Sequence, residues 1–191
     1  ITGFLMSGCV RSTNPGVERG SLFQFQAGYP EVRSSSIGLL SETDQPLIDI
    51  TTEIVLGSLI YSTKDDRRIA NVSLEIRILQ EDGDFTKTVR RDYEIESEFE
   101  GSFISQEVFT SNEIIEVVPG TFEVNITVLD QSSGRASNRT NQATIPDPDD
   151  PQINLTTIRL LGKNLELTQN QFNPITTYTV PSKIDSLKLD F

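Results

Sequence analysis

Apolar and polar residues alternate strictly along several stretches of this chain. In Asn71–Leu79 and again in Thr121–Asp130, every second residue is large and apolar, and the residues between them are mostly polar. A period of two places alternate side chains on opposite faces of a β-strand. Both segments are therefore predicted to be half-buried antiparallel strands. Their inward residues are Val72, Leu74, Ile76, Ile78, Phe122, Val124, Ile126 and Val128.

Two further segments carry the same signal less cleanly. Ile48–Leu56 alternates up to Gly57, where a bulge or bend is expected. Phe85–Ile95 also alternates, but Lys87 and Arg91 share its apolar face, which is typical of an edge strand. Turn-forming residues separate these segments, and Asp82-Gly83 is a strong hairpin signal. Because no segment has a helical period, we expect an all-β, immunoglobulin-like antiparallel β-sandwich.

Proline and aspartate divide the chain near residue 146. The run Pro146-Asp147-Pro148-Asp149-Asp150-Pro151 cannot form a sheet ladder and favours an extended linker. We therefore assign residues 22–145 to the sandwich domain, 146–151 to the linker and 152–191 to the start of a second β unit. Strands are expected there at 157–161, 176–180 and 186–191. Since the sequence stops within the last of these, we expect a longer natural chain.

The N-terminal residues resemble a bacterial lipobox. An apolar run ends in Leu5-Met6-Ser7-Gly8-Cys9, which fits a signal-peptide cleavage site before a cysteine. Under this interpretation residues 1–8 are the remnant of a lipoprotein signal peptide, Cys9 is acylated, and residues 9–21 form a tether. The start at Ile1, with no charged segment before it, indicates an N-terminal truncation. The alternative is that Cys9 is a small buried residue of an ordinary strand.

Composition excludes several kinds of chemistry. A net charge of −12 disfavours binding to nucleic acid, and no apolar run reaches the ~20 residues that span a bilayer. The sequence has no histidine, one cysteine and no glycine-rich phosphate loop, so we expect neither an enzyme nor a cofactor. The carboxylates of Asp147, Asp149 and Asp150 could ligate Ca²⁺ between domains, but a plain acidic linker is favoured over a metal site.

Several segments together resemble the N-terminal region of bacterial GWxTD domain-containing proteins. These are Leu47–Ser62 with Arg68–Ile76, then Val117–Arg135, which contains Pro119-Gly120-Thr121-Phe122, and finally Asn154–Leu161. The resemblance covers residues 22–191. It implies an exported, often lipid-anchored, β-rich protein. The sequence has no tryptophan and so lacks the Gly-Trp-x-Thr-Asp motif, as expected of a fragment that ends before it.

These patterns lead to one functional hypothesis and one alternative. We expect a protein of the bacterial cell envelope, anchored by lipid at Cys9 on the periplasmic or surface face of the outer membrane. It would serve as a structural or protein-interaction module, with the membrane and other envelope proteins as its partners. The alternative is a glycan-binding module of an envelope uptake system, which would need exposed aromatic residues clustered on one face.

Overall fold

The chain folds into β-strands. The structure, a computed structural model, describes residues 28–65, 67–97, 107–149, 159–164, 173–176 and 184–190. Within these ranges there is no α-helix, and the all-β prediction is confirmed. The strands are β1 (Glu31–Leu40), β2 (Pro46–Val55), β3 (Ser62–Lys64), β4 (Arg67–Gln80), β5 (Thr86–Ser97), β6 (Val108–Glu116), β7 (Gly120–Asp130), β8 (Arg135–Ile145), β9 (Arg159–Asn164), β10 (Asn173–Pro174) and β11 (Ile184–Asp190).

Two antiparallel sheets form the predicted sandwich. The small sheet has the order β1-β2-β6. The large sheet has the order β5-β4-β7-β8, and β3 also pairs with β4. β3 pairs with residues 67–69 of β4, whereas β7 pairs with residues 72–80 of the same strand. β3 therefore lies on the same side of β4 as β7, next to the end of β7. Consecutive strands of the large sheet are joined by short turns, as the sequence predicted for Asp82-Gly83.

The inward faces predicted from the alternation are confirmed. All eight predicted inward residues of β4 and β7 have a relative exposure of 1% or less. Ile48, Ile50 and Ile54 of β2 face them from the small sheet and are fully buried. Apolar side chains from both sheets thus form one continuous core.

Four strands of the sandwich carry no clear alternation, and the sequence patterns did not indicate them. These are β1, β3, β6 and β8. In β8 only Ala143 and Ile145 are buried, and in β1 the centre is Ser34-Ser35-Ser36. The predicted strand at 48–56 ends at Val55, because Leu56–Ser58 forms a 3₁₀ turn that supplies the expected bend at Gly57. Among the described strands β5 pairs only with β4, as expected of an edge.

A third sheet lies beyond the Pro/Asp segment, with the order β10-β9-β11. Its strands β9 and β11 overlap the predicted strands at 157–161 and 186–191, whereas residues 177–180 lie outside the described ranges. Residues 146–149 belong to no strand. Thr176 Oγ1 donates a hydrogen bond to Glu53 Oε2 (2.5 Å) on the outer face of the small sheet. The division at 146–151 stays a prediction.

Candidate interaction surface

One flank of the sandwich, where β1 lies beside β8, is closed by contacts to the main chain. Arg139 Nε donates to the Val32 carbonyl oxygen (2.8 Å) across this junction. At Gly38 the backbones come so close that a Cβ atom would lie 2.3 Å from the Thr144 carbonyl oxygen. We call this side the closed flank. A further strand cannot enter here without displacing these contacts.

On the opposite flank, where β5 lies beside β6, the contacts between the described residues of the two strands are made by side chains. The Arg91 guanidinium binds Glu113 through two nitrogens, at 2.8 and 3.0 Å. Nearby, the Tyr93 and Ser111 hydroxyls are 2.9 Å apart, and the Tyr93 ring packs on Phe109 with centroids 4.8 Å apart. We call this side the open flank. Its contacts hold the two edge strands in place but use side-chain atoms rather than the strand main chain.

A row of hydroxyl groups crosses the core between the two flanks. Ser34, Thr52 and Ser111 are cross-strand neighbours on the inner face of the small sheet. Asn141 Nδ2 donates to Ser34 Oγ (2.9 Å) at one end, and Tyr93 pairs with Ser111 at the other. Among the described side chains that are buried, only Thr52 carries a polar atom with no hydrogen-bond partner. The row therefore links the small sheet to the large sheet at both edges.

The hydrogen-bond pattern shows which main-chain groups of β6 point away from the sheet. Val117 N donates to the Pro46 carbonyl (3.1 Å), and Leu56 N donates to the Glu107 carbonyl (2.8 Å). In an antiparallel pair, hydrogen-bonded and non-hydrogen-bonded residues alternate. Odd-numbered residues of β6 therefore bond to β2, whereas the N–H and C=O groups of its even-numbered residues point outward along the open flank.

The side chains of these even-numbered residues lie on the outer face of the small sheet. They are Val108, Thr110, Asn112, Ile114 and Glu116. Ile114 has a relative exposure of 68%, the highest of the large hydrophobic residues among the described ranges, and Val118 just beyond the strand has 43%. Asn112 Oδ1 accepts a hydrogen bond from Thr51 (3.1 Å), which holds this part of the strand against β2. The outer edge of β6 is thus regular, sparsely charged and partly apolar.

The other strand of the open flank has a different character. By the same alternation, the even-numbered residues of β5 point their main chain outward, because Gln80 N donates to the Phe85 carbonyl (3.0 Å). Four of these residues are charged and exposed. They are Arg90, Asp92, Glu94 and Glu96. Dense charge on an edge strand opposes pairing with another chain.

The end of the sandwich near β3 is held by a buried carboxylate. Asp130 accepts hydrogen bonds from the amides of Ile60 (2.7 Å), Ser132 (2.8 Å) and Ser133 (3.0 Å). Next to it, burial raises the pKa of Tyr61 to about 12, although the nearby Arg68 guanidinium lowers it. The Asp130 carboxylate fixes the β7–β8 turn against the segment between β2 and β3. Its acceptor role explains its complete burial without assigning it any chemistry.

The described aromatic residues do not form a flat exposed surface. Phe122 is buried, and the remaining ones are half-buried: Tyr29, Tyr61, Phe85, Tyr93 and Phe109. The Phe85 ring meets the edge of Phe122 in the core, with centroids 5.7 Å apart. The outer face of the large sheet carries polar residues instead, such as Glu75, which pairs with Arg90 at 2.7 Å.

The residues that the sequence predicted to have a site role lie outside the described strands of the sandwich or outside the described residues. Cys9 and Asp150 lie outside the described residues. Asp147 and Asp149 lie in a turn, where Asp147 Oδ1 accepts a hydrogen bond from the Asp149 amide (3.0 Å). Within the described ranges, no cluster of three or more acidic, histidine or cysteine residues could hold a metal ion. The same ranges contain no helix long and apolar enough to cross a membrane.

Comparisons with known proteins supply little further information. No family model matches the chain, and no curated protein matches it. One similar solved structure is the X-ray structure of Northeast Structural Genomics Consortium target SoR45. It is 12% identical, with a TM-score of 0.34, over 69% of this chain and 97% of that chain. A similarity of this size indicates neither a shared family nor a shared function.

The sequence patterns did not reveal the β6 edge. The signal that could have found it is the pair Ile114-Ile115, which follows the polar run Thr110–Glu113. In a strand, adjacent residues face opposite sides, so one isoleucine of such a pair must point outward. In the structure Ile115 is buried and Ile114 is the outward one.

Proposed function

We propose that this protein is a lipid-anchored component of the bacterial cell envelope whose sandwich acts as a protein-interaction or structural module. The observation that supports the interaction role is the contrast between the two flanks. The closed flank is sealed by contacts to the main chain, whereas the open flank presents the regular, partly apolar edge of β6. Such an edge is a surface for pairing with another protein. A catalytic role is not part of the proposal.

The anchoring part of the proposal rests on the sequence. The lipobox pattern at residues 5–9 and the resemblance to GWxTD domain-containing proteins both support export and lipidation at Cys9. Each buried acyl methylene contributes ~0.8 kcal/mol, so two or more chains hold a protein on a membrane where one does not. With 28 acidic and 16 basic residues, electrostatic attraction to anionic lipid would add little. The proposed location is the outer membrane, on its periplasmic or surface face.

The anchor is tested in a bacterial host, with the chain expressed behind a complete lipoprotein signal peptide. Wild type should partition into the membrane fraction and incorporate a clickable palmitate analogue, because the Cys9 thiol is the proposed acylation site. Cys9→Ser should abolish the labelling. Ser7→Ala should not, since a lipobox accepts small residues before the cysteine. Equal labelling of wild type and Cys9→Ser would contradict lipidation at this residue.

The interaction part is tested separately by cross-linking in intact cells. Anchored wild type should form discrete covalent species heavier than the single chain. A protein that stays monomeric at every cross-linker concentration would contradict an interaction role. This outcome would leave the lipid-labelling result unaffected, so the two parts of the proposal can fail independently.

A further inference from the structure

We propose that β6 binds an extended segment of a partner protein as an added antiparallel strand. The segment would carry an apolar and a basic residue two positions apart, on the same face of the strand. This inference rests on the proposed role as an interaction module and names the site and the chemistry of the partner. It depends on three observations: the direction of the β6 main-chain groups, the side chains beside them, and the charge of the edge.

The β6 main chain offers a continuous row of hydrogen-bonding groups. The strand is nine residues long, and its register with β2 runs from Leu47↔Glu116 to Val55↔Val108 without a bulge. Among the described residues, the outward N–H and C=O groups of Thr110, Asn112 and Ile114 have no main-chain partner. The strand also contains none of the proline or lysine residues that commonly protect an edge. An added strand could therefore continue the ladder.

The side chains of β6 define what would fit beside it. An added strand places its residues directly opposite Thr110, Asn112, Ile114 and Glu116 on the outer face. An apolar residue opposite Ile114 would cover a side chain that is 68% exposed. A basic residue two positions away would lie opposite Glu116. The best match is thus an apolar residue and a cation at alternate positions, on the same face of the partner strand.

The charge of the molecule favours a foreign segment over a second copy of this chain. β6 carries no basic residue, and its Glu116 is exposed on the outer face, whereas Glu113 is paired with Arg91. The whole chain has a net charge of −12, so two copies repel each other. On β5, four exposed charges along the outward edge disfavour the same kind of pairing. The structure thus places the site on β6 and assigns a basic partner to it.

The inference is tested by fluorescence anisotropy with the whole protein and synthetic decapeptides. The probe is a fluorescein-labelled peptide that repeats Val-Thr-Lys-Thr, so that valine and lysine lie two positions apart on the same face of the strand. Its control has the same sequence with alternate main-chain nitrogens methylated, which keeps the charge but removes the donors along one edge. The probe should bind saturably at 150 mM salt, whereas the methylated peptide should bind at least tenfold more weakly. Equal binding of the two peptides would overturn strand addition, because only non-specific charge attraction would remain.

A pair of matched variants locates the site. Thr110→Pro removes an outward N–H of β6, and Thr88→Pro removes the corresponding N–H of β5. Both threonines are exposed, and neither N–H bonds within its sheet. Thr110→Pro should weaken probe binding at least tenfold, whereas Thr88→Pro should change it less than twofold. The reverse result, or equal effects, would overturn the assignment to β6.

Two measurements guard against trivial explanations. Ile114→Lys places a cation on the edge without altering the main chain, and it should also weaken binding at least tenfold while the unfolding midpoint changes little. Unchanged binding to this variant would overturn the proposed match at Ile114.

Sedimentation of the free protein should show a monomer. A dimer that Thr110→Pro dissociates would identify a second copy as the occupant and overturn the foreign partner. Lipid labelling at Cys9 is independent of all these outcomes.

Discussion

Two adjacent threonines of β2 show how strongly the energetic role of a residue depends on the face it occupies. Thr51 faces the outer side of the small sheet, where its hydroxyl donates to Asn112. Thr52 faces the core with a relative exposure of 0%, and its hydroxyl has no partner. An unpaired buried hydroxyl carries a desolvation cost that a methyl group does not. The same substitution should therefore have opposite effects at the two positions.

Thr52→Val should raise the free energy of unfolding by about 1 kcal/mol, because it replaces an unpaired hydroxyl with a methyl group of similar size. Thr51→Val should lower it by about 1 kcal/mol, because Asn112 loses its donor. Urea unfolding followed by circular dichroism measures both changes. Destabilisation by Thr52→Val as large as that by Thr51→Val would mean that the Thr52 hydroxyl is hydrogen-bonded in solution.

Tyr61 should make stability depend on pH above neutrality. Its pKa is raised from 10.0 to about 12 in the folded protein, chiefly by burial. Between these values the unfolded state loses the phenolic proton and the folded state keeps it, so the contribution of Tyr61 is complete below pH 10 and lost as the pH approaches 12. Tyr61→Phe should reduce the slope of stability against pH in this window. Identical slopes for the two proteins would contradict the raised pKa.

At the level of strands, sequence alternation was clearest where all the inward residues are apolar. β4 and β7 are the central strands of the large sheet, so their inward residues are uniformly apolar. The alternation of apolar and polar residues therefore predicted both strands. β1, β6 and β8 lie at sheet edges, where polar side chains such as Asn141 and Glu113 bridge the two sheets. Because these polar side chains stand at inward positions, the sequence of such a strand lacks the regular alternation that would have predicted it.

The closed flank depends on a glycine that the sequence patterns did not single out. A Cβ atom at Gly38 would lie 2.3 Å from the Thr144 carbonyl oxygen, and a backbone atom cannot turn aside as a side chain can. Gly38→Ala should therefore lower the free energy of unfolding by about 1–3 kcal/mol through overpacking.

Gly134→Ala is the matched control, because nothing lies within 4 Å of its added Cβ and only the positive φ of 68° opposes it. Its cost should be about 1 kcal/mol. Thermal unfolding of both variants measures the difference. A cost at Gly38 no greater than that at Gly134 would indicate that β1 and β8 separate easily.

At the scale of the whole molecule, the division at residues 146–151 is open to a direct test. Asp147 and Asp149 are exposed and belong to no strand. Endoproteinase Asp-N, which cuts before aspartate, should therefore cleave first in this segment and release a folded sandwich that ends near Ile145. Asp82 and Asp84 in the β4–β5 hairpin serve as the internal control. A first cut at the hairpin, or loss of β structure after cleavage at the linker, would contradict the two-unit organisation.

The candidate site was less predictable from the sequence than the fold. Alternation identified the edge character of β5 through Lys87 and Arg91, but it did not identify β6, whose inward residues include Ser111 and Glu113. The exposure of Ile114 follows from the register with β2, and the direction of the main-chain groups follows from which residues bond across that pair. Both are long-range properties of the folded sheet, and no local pattern encodes them.

The unequal flanks limit the valency of the molecule. Polymerisation through strand addition requires two complementary edge strands on opposite sides of each subunit. One edge pairs with the preceding subunit and the other with the next. Here Gly38 and Arg139 occupy one side of the sandwich, so main-chain pairing by its two sheets is confined to the other side within the described residues. Association by this route terminates after the first partner. Even at high local concentration, a sandwich with one such edge would bind one partner strand without forming fibres.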